Sequence, residues 1–464
     1  MKKNNIIYLI EDRRYTSANC SCYNLIFKVG KHEYFSKIVD WDGPVFILRY
    51  VGIISIGNHV LSILPKYVDF LNEPEICAKH TKLLVSVFQN YSRVASEFEG
   101  VDFFADSPQE EYFSEPAVAD DIIQHYCQYG LWSRQERHLT LSGSGSVNWT
   151  KTVEAIQPLI TQQSVFYPQT YYNSNRTQDS HIVLLIHEWA VMYCLEKYGS
   201  ILPDYEGVTH NGDPTASLDA LGDSDYIEVV LEKALTESFI DSDVRILQNL
   251  MWLVRQQSNQ SGEPQITFYG TGSFKYVWEA ACRAAFGDMS KSPGLSKVFK
   301  APTWINRVKK NFTNQQNKLR PDIVSFSVGE SNSTLLLIDA KYYLIMFRDG
   351  TIMSNPGIED VSKQILYQHI LELDADSPLK APVSTINTFA FPDLMGLDYD
   401  SNVMNSVWGY IDSRMPASIT VPIMVLFLPP DKVFNAYLAN HTIEKYPELI
   451  GELEKAKAEI PSGS

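Results

Sequence analysis

The chain is 464 residues long, 45% of them hydrophobic and 12% aromatic, and its formal net charge is −16. This length and composition provide for two or three domains with packed cores. No apolar stretch is long enough to span a bilayer, which excludes a transmembrane helix and a membrane partner. The six cysteines are scattered, and the N-terminus becomes charged too early for a signal peptide. We therefore expect reduced thiols and a cytoplasmic location.

The N-terminal third, residues 1–120, is predicted to be a β-rich domain. Leu25, Phe27 and Val29 alternate with other residues at the period of two that is typical of a strand. Two apolar runs also meet at a Gly-Asn pair that begins at Gly57. A two-residue turn of this kind joins the strands of a β-hairpin.

An acidic segment follows a predicted helix at residues 76–96. It covers residues 97–121 and mixes many Asp and Glu residues with several Phe and Tyr residues. A run of charges alone indicates disorder, whereas the interleaved aromatic residues favour packing against a surface. We expect that surface to be a basic one on a partner protein.

The middle of the chain, residues 121–262, is predicted to be mainly helical, with a strong helix at residues 181–198. His187 and Glu188 invite comparison with the His-Glu-x-x-His motif of zinc proteases, but Val191 occupies the place of the second histidine. No Gly-x4-Gly-Lys-Ser/Thr phosphate-binding loop occurs anywhere in the sequence. The chain is therefore not expected to hydrolyse nucleotides by itself.

The C-terminal region, residues 263–464, has the pattern of an α/β (α+β) domain with a mixed sheet flanked by helices. Apolar runs at residues 322–328 and 334–341 are separated by a polar turn, which predicts a hairpin. Later apolar runs at residues 385–391 and 419–428 complete the predicted sheet.

Three charged residues lie at the end of this predicted hairpin. Asp322 opens the first strand and Asp339 closes the second, so antiparallel pairing brings their carboxylates together. Lys341 is two residues beyond Asp339 and points to the same face. Two adjacent carboxylates repel each other unless a divalent cation lies between them, and their hard oxygen atoms suit Mg²⁺, with Mn²⁺ as a substitute. A lysine beside a metal-bound water favours phosphodiester hydrolysis.

The alternative is that this Asp-x-Lys tripeptide is only a solvated strand end, which is the usual meaning of such a short pattern. The apolar run before Asp339, the Pro-Asp pair at hairpin spacing and the downstream helix that contains Gln364 favour a nuclease of the PD-(D/E)XK type. Gln364 is then expected to orient the reacting groups.

A basic run leads into the proposed site and offsets the unfavourable net charge of the chain. No acidic residue lies between Asp288 and Asp322. The alternative for a charge run is a solvated face. Its adjacency to Asp322 favours contacts with the phosphates of double-stranded DNA. The predicted DNA-binding residues are Lys297, Lys300, Arg307, Lys309, Lys310, Lys318 and Arg320.

The segment at residues 338–343, followed by residues 356–368, resembles the LlaJI family of restriction endonucleases, which is similar to McrC, the nuclease subunit of McrBC systems. The resemblance implies a PD-(D/E)XK fold, Mg²⁺ dependence and a DNA substrate. It also implies that Glu279 and the Ala340 carbonyl join Asp322 and Asp339 as metal ligands.

The same resemblance extends to residues 52–66, which are similar to an N-terminal signature of McrC. It implies that the first domain engages a separate McrB-like AAA+ GTPase, and that the system serves restriction of foreign DNA. Dimerisation of the nuclease domains is compatible with this family. Two other functions stay open on the sequence: a scaffolding subunit that stimulates the GTPase with an inactive nuclease core, and a nuclease that acts alone.

Overall fold

The computed structural model describes most of the chain, with gaps. The described residues are 6–32, 35–69, 71–95, 114–133, 136–141, 146–161, 163–176, 178–203, 205, 208, 218–258, 266–301, 303–305, 311–313, 318–328, 333–373, 383–394, 407–416, 419–442 and 446–460. No helix within these ranges is long and apolar enough to cross a bilayer. The predicted acidic segment lies largely outside them, because residues 96–113 are not described.

Helices and strands alternate along the whole chain, as expected for a mixed α/β protein. The helices are α1 (Tyr23–Val29), α2 (Phe35–Ile38), α3 (Pro74–Ala95), α4 (Glu115–Tyr129), α5 (Trp149–Ala155), α6 (Gln178–Tyr198), α7 (Leu218–Leu221), α8 (Ser224–Thr236), α9 (Asp241–Ser258), α10 (Phe274–Ala285), α11 (Leu295–Val298), α12 (Ile358–Leu373), α13 (Pro430–Ala439) and α14 (Tyr446–Ala458). The strands are β1 (Ile6–Ile10), β2 (Arg14–Tyr15), β3 (Val39–Asp42), β4 (Val45–Leu48), β5 (Val51–Ile56), β6 (His59–Leu64), β7 (Glu136–Leu141), β8 (Ser146–Val147), β9 (Leu159–Ile160), β10 (Val165–Phe166), β11 (Tyr171–Arg176), β12 (Ile266–Thr271), β13 (Thr303–Ile305), β14 (Asn311–Thr313), β15 (Ile323–Val328), β16 (Ser333–Ala340), β17 (Met346–Arg348), β18 (Thr351–Met353), β19 (Val383–Pro392), β20 (Val407–Ile411) and β21 (Ile423–Leu428).

The chain divides into two compact units, neither of which is continuous in sequence. The first unit contains Met1–Asn5, Ile54–Val60 and Ala105–Tyr269, and the second contains Ile6–Ile53, Leu61–Phe104 and Gly270–Ser464. The three predicted domains, with boundaries after residues 120 and 262, stay a prediction.

The first unit is built around helices, as its apolar periodicity indicates. Helix α4 packs against α6 and α9, and α8 packs against α9. Their facing side chains, such as Ile122, Ile186 and Leu231, are fully buried. The unit also contains the small sheet β7-β11-β8 and the hairpin of β9 and β10, which the sequence pattern did not predict.

The N-terminal part of the second unit contains more helix than predicted. Residues 23–29 form α1, so the strand predicted from Leu25, Phe27 and Val29 is wrong. Ile26 and Val29 are buried whereas Phe27 is 62% exposed, and this spacing of three is that of one helix face. The predicted hairpin around Gly57 is confirmed as β5 and β6, and its central part, Ile54–Val60, is assigned to the first unit.

The C-terminal part of the second unit contains the predicted mixed sheet. Its five strands have the order β15-β16-β19-β21-β20. Strands β16, β19 and β21 are parallel, while the outer strands β15 and β20 run antiparallel to their neighbours. Helix α12 lies between β16 and β19 in sequence, as parallel pairing of neighbouring strands requires.

Helix α12 covers one face of this sheet. Its residues Tyr367 and Leu371 pack with Leu335 and Leu337 of β16. Val361 and Ile365 pack with aromatic and aliphatic residues of β19 and β21. These contacts fix the start of α12 beside the end of β16, where the predicted active-site residues lie.

Candidate active site

Two aspartates lie side by side at one end of the hairpin formed by β15 and β16. Ile323 pairs with Ile338 in antiparallel register. The next position along the ladder therefore places Asp322 opposite Asp339. Asp339 is only 8% exposed. The hairpin that the sequence predicts is thus present, and it brings these two predicted site residues together.

The close approach of the two carboxyl groups is unfavourable without a counter-charge. Burial, together with a hydrogen-bonding contact to Asp339 and the negative charge of that residue, raises the pKa of Asp322 to about 9. The Oδ1 atom of Asp339 is buried and has no hydrogen-bond partner among the described residues. A buried carboxylate oxygen is normally paired, so this atom indicates a place for a ligand.

Lys341 lies between two carboxylates. Its Nζ atom is 3.1 Å from Oδ2 of Asp339 and 2.9 Å from Oδ1 of Asp360. Burial by itself would lower the pKa of Lys341, but the charges of Asp339 and Asp360 and the hydrogen bonds to them raise it above its ordinary value. Lys341 is therefore a fixed cation beside the aspartate pair.

Asp360 is a site residue that the sequence did not reveal. It lies in the first turn of α12, where an acidic residue is expected for its interaction with the helix dipole. The structure adds a second role, because its carboxylate accepts a hydrogen bond from Lys341. The two residues are separated by a loop and a short hairpin, so no local spacing rule predicts the contact.

Glu279 lies in α10 and is electrostatically linked to the same site. Burial raises the pKa of Glu279, Arg283 opposes this shift, and the charges of Asp339 and Lys341 also act on it. Arg283 pairs with Glu279 one helical turn away and donates from Nε to the backbone oxygen of Asp322 at 3.1 Å. Sequence reasoning missed Arg283, although a Glu and an Arg four residues apart on one helix are a recognisable pair.

Gln364 is buried at the interface between α12 and β19 and contacts the sheet. Its Nε2 atom donates to the backbone oxygen of Thr388 at 3.3 Å, and Asn387 donates to the backbone oxygen of Gln364 at 2.8 Å. Its Oε1 atom is buried without a hydrogen-bond partner in the described part of the chain. Tyr367, one turn further on, donates to the backbone oxygen of Arg320 at 3.0 Å, which anchors the segment before Asp322.

The basic run begins against β15, the edge strand of the five-stranded sheet. The backbone nitrogen of Met289 donates to the backbone oxygen of Val324 in β15 at 2.7 Å. The backbone nitrogen of Val324 in turn donates to Oδ1 of Asp288 at 3.0 Å. The predicted DNA-binding residues divide into three groups: Lys297, Lys300 and Arg320 are exposed, Lys318 is half-buried, and Arg307, Lys309 and Lys310 lie outside the described residues.

The donor set fits a hard divalent cation that keeps most of its water. Within the described ranges, no group of three or more His, Cys, Asp or Glu side chains is arranged to hold a metal ion. Mg²⁺ is usually bound by one or two carboxylates and completes its shell with water and substrate phosphate. The pair of Asp322 and Asp339, with one unpartnered oxygen, meets this requirement, whereas Glu279 is already paired with Arg283.

Comparisons with known proteins give one family and one close curated relative. The family model described as LlaJI restriction endonuclease matches residues 50–422. The chain is 29% identical over 417 residues to the protein named "Type II restriction enzyme BsuMI component YdjA" of Bacillus subtilis (strain 168), and the match covers 89% of this chain and 85% of that protein.

Two solved structures from Thermococcus gammatolerans are also similar, at low identity. A chain of the half-complex of McrB AAA+ hexamers with bound McrC is 12% identical with a TM-score of 0.35, covering 94% of this chain and 99% of that one. A chain of the McrBC complex is 12% identical with a TM-score of 0.25, covering 56% of this chain and 82% of that one.

Proposed function

Because the chain belongs to the LlaJI restriction endonuclease family, we propose that it is the subunit of a restriction system that hydrolyses DNA phosphodiester bonds with Mg²⁺. The observation that carries the proposal is the buried aspartate pair beside a fixed lysine. Asp322 and Asp339 meet at a hairpin end, and Lys341 is held 3.1 Å from Asp339. This combination of groups suits the PD-(D/E)XK type of catalysis.

Asp322 and Asp339 would hold the cation, with the Ala340 carbonyl as a third ligand and Glu279 as a candidate fourth. When bound, Mg²⁺ lowers the pKa of a coordinated water and offsets charge on the phosphate. Mn²⁺ also binds oxygen ligands and would substitute for Mg²⁺ at this site.

Lys341 would stabilise the negative charge that develops on the phosphate and orient the attacking water. Its neighbours keep it protonated and restrict its position, since it is bound by two carboxylates. Gln364 would contribute through its unpartnered Oε1 atom, which is able to accept a hydrogen bond from water. The exposed Lys297, Lys300 and Arg320 would bind DNA phosphates that flank the phosphodiester to be cleaved.

The partner proposed for this chain is an McrB-like AAA+ GTPase. Support comes from the sequence of residues 52–66, which is similar to an N-terminal signature of McrC, and from the absence of a phosphate-binding loop in the sequence. The Bacillus subtilis relative is named a component of a restriction enzyme, which fits an assembly of several proteins. Double-stranded DNA and a cytoplasmic location follow from the same proposal.

The test is a cleavage assay on methylated and unmethylated duplex DNA, with and without an McrB-like GTPase and GTP. We expect Mg²⁺-dependent cleavage by the wild type and none by Asp339→Asn. Glu359→Gln serves as the matched control, because Glu359 is exposed in the same region as Asp360 and also carries one negative charge. Stimulation of GTP hydrolysis without cleavage in any arm would instead support a scaffolding subunit.

A further inference from the structure

A cleft of about 660 Å³ is lined in part by residues that closely follow Lys341 in the chain. All of its lining residues belong to the second unit. One wall is the turn after β1, with Arg13, and the other is the segment after Lys341, with Tyr343 and Met346. A volume of this size is in the range of ligand sites in proteins.

Chain connectivity places one wall of the cleft close to Lys341. Tyr343 is two residues beyond Lys341, and two residues of extended chain span at most about 7 Å. DNA is a polymer, so a strand held at Lys341 has to continue along the surface on both sides. The segment that follows Lys341 lines the cleft, whereas the basic run leads to Asp322 from a different segment of the chain.

The charges on the floor of the cleft are neutralised within the protein. Asp12 pairs with Arg49 and with Lys66, whose Nζ atom is 3.2 Å away. The Glu11 carboxylate accepts a hydrogen bond from the hydroxyl of Tyr342. Lys66 also lies 4.4 Å from the centre of the Tyr342 ring. Because these groups are paired with one another, they form the floor of the cleft without adding much net charge to it.

Arg13 and Asp69 remain as exposed charges at the cleft. The guanidinium of Arg13 has no hydrogen bond or ion pair with another described residue, and Tyr343 and Met346 are 36% and 46% exposed. A cation next to an exposed aromatic and an exposed thioether forms an amphipathic surface. Such a surface suits a phosphate joined to a flat, apolar-faced group.

We propose that this cleft is a subsite for the nucleotide next to the scissile phosphodiester, with Arg13 on its phosphate and Tyr343 and Met346 against its sugar or base. The inference rests on the proposed function, because it needs a DNA strand at Lys341. It assigns a role to residues of the N-terminal segment, which the sequence patterns connected only with a partner protein.

The test uses the full chain with Asp339→Asn, which prevents cleavage, and measures binding of a fluorescent duplex oligonucleotide at several salt concentrations. Arg13→Gln should weaken binding about three- to tenfold and reduce the salt slope by about one. Arg14→Gln is the matched control: the neighbouring arginine pairs with Asp42 at 2.7 Å, and neither residue lines the cleft. It should leave affinity and slope unchanged.

Substitutions of Tyr343 and Asp69 distinguish the stacking contact from the phosphate contact. Tyr343→Ala should weaken binding about three- to tenfold with an unchanged salt slope, and Tyr343→Phe should restore it. Asp69→Asn should strengthen binding, because it removes a like charge. If the Asp339→Asn protein binds DNA, equal binding after the Arg13 and Arg14 substitutions would overturn the subsite alone. A parent that binds no DNA at any salt concentration would overturn the proposed function with it.

Discussion

Two buried clusters of charged residues in this protein differ in how completely their polar atoms are paired. In the first unit, Glu115 accepts hydrogen bonds from Lys197, Tyr193 and Ser55, and Lys197 also donates to the backbone oxygen of Gly57 at 2.8 Å. Every charged oxygen and the ammonium have partners. In the second unit, Asp322 and Asp339 face each other, and one oxygen of Asp339 has no partner among the described residues.

This difference distinguishes an ion pair whose polar atoms are all partnered from a pair of carboxyl groups that lacks a partner. The cluster around Glu115 is electrostatically complete and gains nothing from an added ligand. Asp322 and Asp339 bring two carboxyl groups together in a buried place, and burial with this proximity raises the pKa of Asp322 to about 9. Proteins keep such unfavourable arrangements mainly at functional sites, where the missing interaction comes from a ligand.

The largest expected effect is on cleavage by Asp339→Asn. Loss of a ligand and of a charge next to Lys341 should lower the rate of DNA cleavage by at least about 10³-fold. The same substitution replaces a buried charged group next to a second carboxyl group by a neutral amide, so the midpoint of thermal unfolding should stay equal or rise. A variant that cleaves DNA at the wild-type rate would remove Asp339 from the active site.

The corresponding change in the other cluster should affect stability. Glu115→Ala leaves the buried ammonium of Lys197 unpaired, and we expect the free energy of unfolding to fall by about 3–5 kcal/mol. Urea denaturation measures this loss. The double variant Glu115→Leu/Lys197→Met, which removes both charges, should regain most of it. A double variant as unstable as the single one would show that the ion pair is not the cause.

A smaller effect is expected from Asp360, which acts through Lys341. Asp360→Asn should lower kcat for cleavage by about 10- to 100-fold and leave DNA affinity unchanged. Glu359→Gln, at an exposed position one residue earlier, should leave both unchanged. Steady-state kinetics separate the two parameters. Equal kinetics for the two variants would mean that the hydrogen bond to Lys341 does not position it.

The last effect is on the pH dependence of stability and concerns Glu11, a buried carboxyl that accepts a hydrogen bond from Tyr342. Burial raises the pKa of Glu11 from 4.5 to about 7, although Lys66 and Tyr342 oppose the shift. The folded protein therefore binds this proton more tightly than the unfolded chain does. Its stabilising contribution is complete below pH 4.5 and is lost as the pH rises through about 7.

Glu11→Gln removes this dependence, so the difference in unfolding free energy between variant and wild type should change between pH 4.5 and 7 and be constant above. Urea unfolding at a series of pH values measures the difference. A difference that is constant across the whole range would show that Glu11 ionises in the folded protein as it does in the unfolded chain.

The hairpin of β15 and β16 was predictable because its signals are local. Two apolar runs, a polar turn and the positions of Asp322 and Asp339 at the strand ends are all contained in twenty residues, and antiparallel pairing then fixes their proximity. Strands β19 and β21 followed from later apolar runs, and α12 followed from its acidic first turn and the Pro-Gly pair before it. Family resemblance added Glu279 and Gln364, whose positions no local pattern connects with the hairpin.

The parts that sequence did not reveal depend on contacts between distant segments. The hydrogen bond from Lys341 to Asp360 and the cleft between Arg13 and Tyr343 exist only after the chain has folded. The error at α1 has a different origin: the spacing of Leu25, Phe27 and Val29 fits a strand, but burial of Ile26 and Val29 decides for a helix.

The most direct test of the central idea is calorimetric titration of the full chain with Mg²⁺, and with Mn²⁺ for larger heats. Wild-type protein should bind one ion of either cation per chain, while Asp322→Asn and Asp339→Asn should each weaken binding at least tenfold. Glu115→Gln, which alters the self-contained cluster, should bind as the wild type does. Unchanged cation affinity in both aspartate variants would contradict the account.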